Sequence, residues 1–201
     1  MKLYLFSILI FVVLNLISIN LISKGFDFSG IKLDHVVIRG SSNVSDFKLV
    51  YVNDHSVVHQ IVPDENTDNS IYFKIPVEYI TAANHLMVSD FRALIHADKY
   101  PEIEIAISKN QIESIINDDQ NESIQVKIII AGKANLYTIP FFMGKLPGSY
   151  KYLMGKTSLH LSDFDIQPSK KIFGLIKISN EVIVNFRINF NALELTQIET
   201  F

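Results

Sequence analysis

The chain contains no cysteine among its 201 residues, and this absence excludes disulfide bonds, thiol catalysis and zinc–thiolate sites. It also excludes a lipoprotein, which needs a cysteine after its apolar leader. Glycine occurs only eight times, and no glycine-rich phosphate loop or Gly-x-Ser-x-Gly nucleophile motif is present. A formal net charge of −3 gives no electrostatic basis for binding nucleic acid.

The N-terminus lacks charge over a long run. Residues 3–23 contain no charged side chain, are rich in Leu, Ile, Phe and Val, and follow a single lysine at position 2. This pattern is typical of a secretory signal peptide, which predicts a periplasmic or secreted protein. A run of about 20 uncharged residues is also long enough to span a bilayer, so an uncleaved anchor facing the periplasm is the alternative. Residues 24–201 are then predicted to form a single domain.

The most informative segment covers residues 71–108. Apolar and polar side chains alternate over residues 71–77 and again over residues 102–108, which predicts two half-buried strands. Between them, Phe91, Leu94 and Ile95 follow helical spacing. This predicts one short helix near residues 89–98, with Ser89 as its N-cap. The dipeptide Tyr100-Pro101 ends the helical segment, because a residue before proline disfavours helical geometry.

The rest of the chain alternates as β-strands do. Residues 109–122 are predicted to be a polar connection, and residues 175–190 a final hairpin that turns at Ser179-Asn180. Further strands are predicted over residues 33–39, 47–52, 124–130, 136–143 and 150–161. These patterns predict an all-β, mainly antiparallel fold of about eight strands, closed or nearly closed into a barrel with the helix over one end.

Three motifs in the chain resemble those of the YceI-like domain family. The central one is IPVEYI at residues 75–80, followed by NHL at 84–86, DFRAL at 90–94 and YPEI at 100–103. The segment GSSNVSDF at residues 40–47 is similar to the family's opening, and LSDFDI at 161–166 with FGLIK at 173–177 is similar to its closing segment. The match extends over residues 33–192. The chain departs from the family's pattern at some positions, such as GKAN at residues 132–135, and in this it resembles a divergent branch of the kind common in Bacteroidota.

The resemblance implies a lipocalin-like barrel that binds a lipid, polyisoprenoid or other amphiphile in the bacterial envelope, without catalysis or cofactor. The implied partner is an apolar or amphiphilic small molecule, and the oligomeric state stays open, a homodimer included. Twelve side chains are expected to line the pocket: Phe73, Ile75, Val77, Phe91, Leu94, Ile105, Ile107, Val126, Ile128, Val184, Phe186 and Ile188.

One alternative function remains open at this stage. Inward-facing apolar residues also fill the core of any such sheet, so a structural or interaction module of the envelope with a filled core is the second hypothesis. His55 and His59 have the spacing of a helical metal site, but their segment is predicted to be strand or turn. No metal site and no catalytic residue is therefore expected.

Overall fold

The computed structural model describes residue 28 and residues 30–53, 69–117, 122–147, 150–167, 170–171 and 176–191. Two α-helices, α1 (His85–Leu94) and α2 (Lys109–Asn117), and two 3-10 turns, Val77–Tyr79 and Leu161–Phe164, lie among the strands. The strands are β1 (Ile31–Ser42), β2 (Asp46–Val52), β3 (Ser70–Pro76), β4 (Thr81–Ala82), β5 (Glu102–Ser108), β6 (Ser123–Ile130), β7 (Lys133–Lys145), β8 (Tyr150–His160), β9 (Lys170–Lys171) and β10 (Ile176–Asn191).

The strands form one antiparallel sheet in the order β3-β5-β6-β7-β8-β10-β1-β2-β4, with β9 on β10. The sheet curls into a half-barrel, with β3 and β4 at its two ends among the described residues. Eight of the described strands have seven residues or more. The predicted class, an all-β, mainly antiparallel, lipocalin-like fold of about eight strands, is therefore confirmed.

The core lies on the concave side of the sheet. Period-2 alternation turns every second side chain inward, and the strands of both halves contribute bulky aliphatic and aromatic residues. The most deeply buried large side chains are Phe73, Phe164, Phe190, Leu33, Leu49, Ile71, Ile107, Ile112, Ile124, Ile139, Leu153 and Ile188. Their β-branched and aromatic character suits a pleated, half-buried surface.

The two helices lie at opposite ends of the half-barrel. We name the end where β3 stops at Pro76 and β5 starts at Glu102 the α1 end, and the end where β5 stops at Ser108 the α2 end. Helix α1 confirms the predicted helix but begins four residues earlier, because Asn84 and not Ser89 caps it by accepting the Leu86 N–H at 2.9 Å.

Helix α1 also ends earlier than predicted. Its last residue is Leu94, and His96 adopts a positive φ of 55°. A left-handed residue interrupts the helical hydrogen-bond ladder, so the helix stops well before Tyr100-Pro101.

The prediction of a polar connection over residues 109–122 is wrong for its first nine residues. Helix α2 occupies them, and Ile112 and Ile115 are buried while Ile116 packs against the core. These three isoleucines have i, i+3, i+4 spacing, which places them on one helix face. The polar residues between them occupy the solvent side.

The predicted final hairpin is also wrong. Strand β10 runs without a turn from Ile176 to Asn191, and the supposed turn at Ser179-Asn180 is a register irregularity opposite β1, between the Gly40 and Ser42 pairs. The Asn180 side chain is held there by Ser162, whose N–H donates to Asn180 Oδ1 at 2.9 Å. This bond accommodates the polar pair inside a strand. The predicted leader at residues 1–23, and His55 and His59, lie outside the described residues.

Candidate functional site

The interior of the half-barrel is the candidate site, and it contains the twelve residues predicted to line a pocket. Phe91 and Leu94 are partly buried on α1 and pack against the core. The other ten are buried on strands or at a strand end: Phe73, Ile75, Val77, Ile105, Ile107, Val126, Ile128, Val184, Phe186 and Ile188. The structure therefore places all twelve in or against one apolar core. That they contact a ligand stays a prediction.

Strand register arranges the interior side chains in rows. Phe73 lies opposite Ile105, which lies opposite Ile128, so one row crosses β3, β5 and β6. In the other half of the sheet, Gly155 lies opposite Phe186, and a Cβ added at this glycine would meet the Phe186 ring at 2.3 Å. Because Gly155 has no side chain, the Phe186 ring can lie flat over it. The two residues form a row on the interior face of this half of the sheet.

The interior is packed differently at its two ends. Toward the α2 end, Ile107, Ile112 and Ile188 have 0% exposed surface, so no water-sized space touches them. Toward the α1 end, Val182 and Val184 on β10 keep 7% and 8%. These strand positions point inward, so this residual surface lies on the interior side, although Val77 and Ile80 at the same end are only 1% and 2% exposed. The interior is therefore closed beneath α2 and somewhat less closely packed along β10 at the α1 end.

Helix α1 covers its end of the interior loosely. No residue of α1 is buried, and only partly buried side chains, such as Met87 and Phe91, contact the core. Arg92 Nη2 on this helix donates a hydrogen bond to the carbonyl of Glu78 at 2.9 Å, which helps to hold the helix in place. A helix attached through partial burial opens at lower free energy than one with a buried face, such as α2.

A seam between β7 and β8 also lies at the α1 end. The described pairs of the β7–β8 ladder run from Phe141–Gly155 to Lys145–Lys151, while the first half of β7 pairs with β6. Beyond the ladder, side chains join β7 to the turn Leu161–Phe164. The Tyr137 hydroxyl donates to Asp163 Oδ2 at 2.8 Å.

Tyr137 and Phe164 fill this seam. Phe164 is 1% exposed, and its ring centroid lies 6.2 Å from that of Tyr137. Burial raises the pKa of Tyr137, and the hydrogen bond to Asp163 raises it further. No pattern in the sequence marks Tyr137, although Asp163 and Phe164 belong to the closing motif LSDFDI. The tyrosine had no signal of its own, because its partner is 26 residues away.

Open clefts flank α1 on the outside. The larger, of about 820 Å³, is lined by residues from Pro76 to Tyr79, by Arg92 and Ala93 of α1, and by Pro101 and Glu102. A second cleft of about 670 Å³ lies between Phe47, Met87 and Ile183. A smaller cleft of about 320 Å³ lies away from α1, near the β7–β8 turn at the α2 end. The two larger clefts share walls with α1.

Metal and membrane-helix features are absent from the part of the chain that the structure describes. No group of three or more histidine, aspartate or glutamate side chains comes together as a metal site there. Within the same residues, no helix has the length and apolarity needed to cross a membrane.

The geometry defines a lipocalin-like β protein, an antiparallel half-barrel around an apolar interior with a helix at each end. The chain belongs to the YceI-like domain family, whose model matches residues 26–190. The family resemblance read from the three sequence motifs is therefore confirmed.

Solved structures share the fold at low sequence identity. Burkholderia cenocepacia BcnA is 15% identical with a TM-score of 0.55, over 82% of this chain and 99% of that chain. A polyisoprenoid binding domain from Saccharophagus degradans, implicated in plant cell wall breakdown, is 10% identical with a TM-score of 0.58, over 81% and 98%. No curated protein sequence matches the chain significantly.

Proposed function

We propose that the half-barrel binds the apolar chain of a lipid or polyisoprenoid, without catalysis. The observation that carries this proposal is the uneven packing of the interior, closed at the α2 end and somewhat less closely packed along β10 at the α1 end. The polyisoprenoid binding domain from Saccharophagus degradans has a similar fold. Burial of each CH₂ group contributes about 0.8 kcal/mol, so a chain binds firmly without specific polar contacts.

The ligand enters at the α1 end in this proposal. Phe91 and Leu94 cover the interior there without being fully buried themselves. A chain inserted beneath them contacts Val184 first and then Phe186, which follow each other on the inner face of β10. The charged or polar head of the ligand stays in the clefts beside α1, where Arg92 and Glu102 are exposed or half-buried.

Lipid extraction provides the first test. The full chain, purified without detergent from a cell envelope that contains polyisoprenoids, is extracted into organic solvent and the extract is analysed by mass spectrometry. We expect a lipid in stoichiometric amount. Repeated recovery of lipid-free protein, unable to bind an added fluorescent polyprenyl probe, would contradict the proposal.

A matched pair of variants on α1 tests the route. Phe91→Asp places a charge where the helix contacts the core, whereas Ser89→Asp places the same charge on the exposed side of the same helix. We expect faster release of the polyprenyl probe from Phe91→Asp than from Ser89→Asp. Unfolding of Phe91→Asp, seen by circular dichroism, would instead show that α1 is a necessary part of the core.

A structural or interaction module is the second candidate, and close packing toward the α2 end favours it. Ile107, Ile112 and Ile188 leave no water-sized space around them. If the whole interior fills in the same way in solution, the protein presents only its outer surface to partners. Lipid-free protein with unchanged stability after exposure to lipid would support this candidate.

Location in the envelope is part of the proposal and depends on residues 1–23. Their uncharged, apolar composition is that of an export signal or an anchor. Fractionation of expressing cells and the mass of the mature N-terminus distinguish a cleaved periplasmic protein from an anchored one. Recovery of the intact chain in the cytosol would contradict both.

A further inference from the structure

The outer face of the sheet carries exposed apolar side chains where β7, β8 and β10 meet. Phe142 is 63% exposed and Met154 is 44% exposed, and the two residues are paired across β7 and β8. Tyr152 lies beside them, with its ring centroid 6.5 Å from that of Phe142. We name these three residues, together with Arg187, Lys156 and Lys32, the outer patch. Grouped apolar exposure is a common feature of interaction sites.

Gly144 and Arg187 fix the aromatic part of this patch. A Cβ at Gly144 would lie 2.2 Å from the Tyr152 ring, so the glycine lets the ring lie flat on the strand. The Arg187 guanidinium carbon lies 4.7 Å from the centroid of the same ring. A cation over an aromatic face is attracted by the ring quadrupole, which holds both groups at the surface. Phe142, next to this platform, projects outward.

Positive charge surrounds the patch. Lys156 is exposed two residues beyond Met154 on the same face, and Lys32 is exposed one strand beyond Asn189, the partner of Tyr152. Residues 123–162 contain five lysines and no aspartate or glutamate, although the whole chain has a net charge of −3. The charge of the protein is therefore unevenly distributed, with cations concentrated around these strands.

One carboxylate on this part of the face is already paired. Asp34 Oδ2 lies 2.9 Å from His35 Nδ1 and 3.6 Å from Arg187 Nε. Two further carboxylates, Asp46 and Glu181, lie near the α1 end of the outer face, at terminal pairs of their strands. They are distant along the strands from Phe142 and Met154. Glu122 is exposed and lines a cleft together with Phe142, so the patch and its edge have three cations, Lys32, Lys156 and Arg187, against two carboxylates, Glu122 and the paired Asp34.

We propose that the outer patch docks the protein on the surface of a bilayer that contains anionic phospholipid. A second copy of the chain, packed about a two-fold axis, would bring Lys32 and Lys156 against equal charges. Phosphate headgroups complement these cations, and Phe142 and Met154 project far enough to enter the interface between headgroups and acyl chains. The patch is on the outer face, so docking does not depend on a ligand inside the half-barrel.

Vesicle flotation of the full chain tests the proposal. Vesicles of phosphatidylcholine alone are compared with vesicles that also contain phosphatidylglycerol, at low and high salt. We expect binding to the anionic vesicles that weakens as salt increases, because headgroup attraction is screened. Insertion through residues 3–23 alone would be insensitive to both lipid charge and salt, and that result would overturn the proposal.

Matched variants locate the binding surface. Lys156→Gln is expected to reduce partition onto anionic vesicles about fivefold, the effect of about 1 kcal/mol per lysine near a charged surface. Lys177→Gln removes an exposed lysine at the α1 end of β10 and is expected to bind as the wild type does. Phe142→Ser is expected to weaken binding, whereas Leu136→Ser, at an equally exposed position of β7, is not.

Two results would overturn the assignment. Equal effects of the patch variants and their controls would show that another surface binds the vesicles. Salt-dependent retention on heparin without vesicle binding would assign the patch to a soluble polyanion instead of a bilayer. Circular dichroism of each variant checks that the sheet is intact.

Discussion

Gly155 provides the sharpest test of how the interior is built. This glycine is buried, and an added Cβ would lie 2.3 and 2.5 Å from two carbon atoms of the Phe186 ring. Ordinary van der Waals contact begins near 3.4 Å, so Gly155→Ala forces the ring to move by about 1 Å. Phe186 is only 3% exposed, so its ring cannot move into solvent without repacking its neighbours. We therefore expect a loss of about 1–3 kcal/mol in the free energy of unfolding.

Gly144 supplies a control with the same clash on the other face. A Cβ there would lie 2.2 Å from the Tyr152 ring, but Tyr152 is half-buried on the outer face and can swing toward solvent. Replacing glycine by alanine also restricts the unfolded chain, which stabilises by about 0.4–1 kcal/mol. We expect Gly144→Ala to change the free energy of unfolding by less than about 0.5 kcal/mol, because the two effects oppose each other.

Urea unfolding followed by circular dichroism measures both variants, since the chain has no tryptophan to report by fluorescence. Phe186→Leu shortens the clashing side chain, so the double variant with Gly155→Ala should cost at least about 1 kcal/mol less than the two single costs added together. Strict additivity, or an equal cost for Gly144→Ala and Gly155→Ala, would refute the packing described for this row. Gly155→Ala should also weaken probe retention, because the displaced ring occupies the interior.

Three further predictions concern the seam and the helices. The raised pKa of Tyr137 favours the neutral hydroxyl in the folded state, so its contribution to the free energy of unfolding is complete below pH 10 and falls as the pH rises further. Tyr137→Phe should therefore lose less stability than the wild type in alkaline urea titrations. Equal pH profiles would contradict the burial of this hydroxyl. Ile112→Ala should lower the free energy of unfolding by about 2–5 kcal/mol in thermal or urea unfolding, whereas the control Glu113→Ala, at the half-buried next residue, should lower it by less than about 0.5 kcal/mol. Similar losses would show that α2 does not seal the core. Asn84→Ala removes the α1 cap, which lowers the stability of this helix by about 1 kcal/mol. Hydrogen exchange of the α1 amides should become about fivefold faster while global unfolding changes little. Unchanged exchange would mean that the cap does not hold the helix.

The sheet could be predicted from the sequence because its signal is local. Ile103, Ile105 and Ile107 alternate with polar or small residues, and period-2 alternation is produced by the geometry of a single strand. Strand β5 has the predicted bounds, and β3 lies within a residue of them. The same local argument located α1 through Phe91 and Leu94, although its start depended on which polar side chain caps it.

The errors arose where a local pattern had two interpretations. Residues 109–117 contain enough polar side chains to resemble a loop, and the spacing of Ile112, Ile115 and Ile116 becomes decisive only when a core exists to receive them. Ser179-Asn180 resembles a turn, but pairing of β10 with β1 and β8 on both sides keeps the chain extended. Tertiary hydrogen bonds outweigh a turn propensity of two residues.

The sequence by itself determined the fold class, the apolar interior and the family, because strand alternation and short motifs are properties of neighbouring residues. Only the tertiary structure decided which end of the interior is sealed, since that depends on α2 and β10 meeting across the half-barrel. It also decided that Phe142, Tyr152 and Met154 share one outer face with Lys32 and Arg187. Residues far apart in the chain come together there because strand register, and not sequence distance, sets their neighbours.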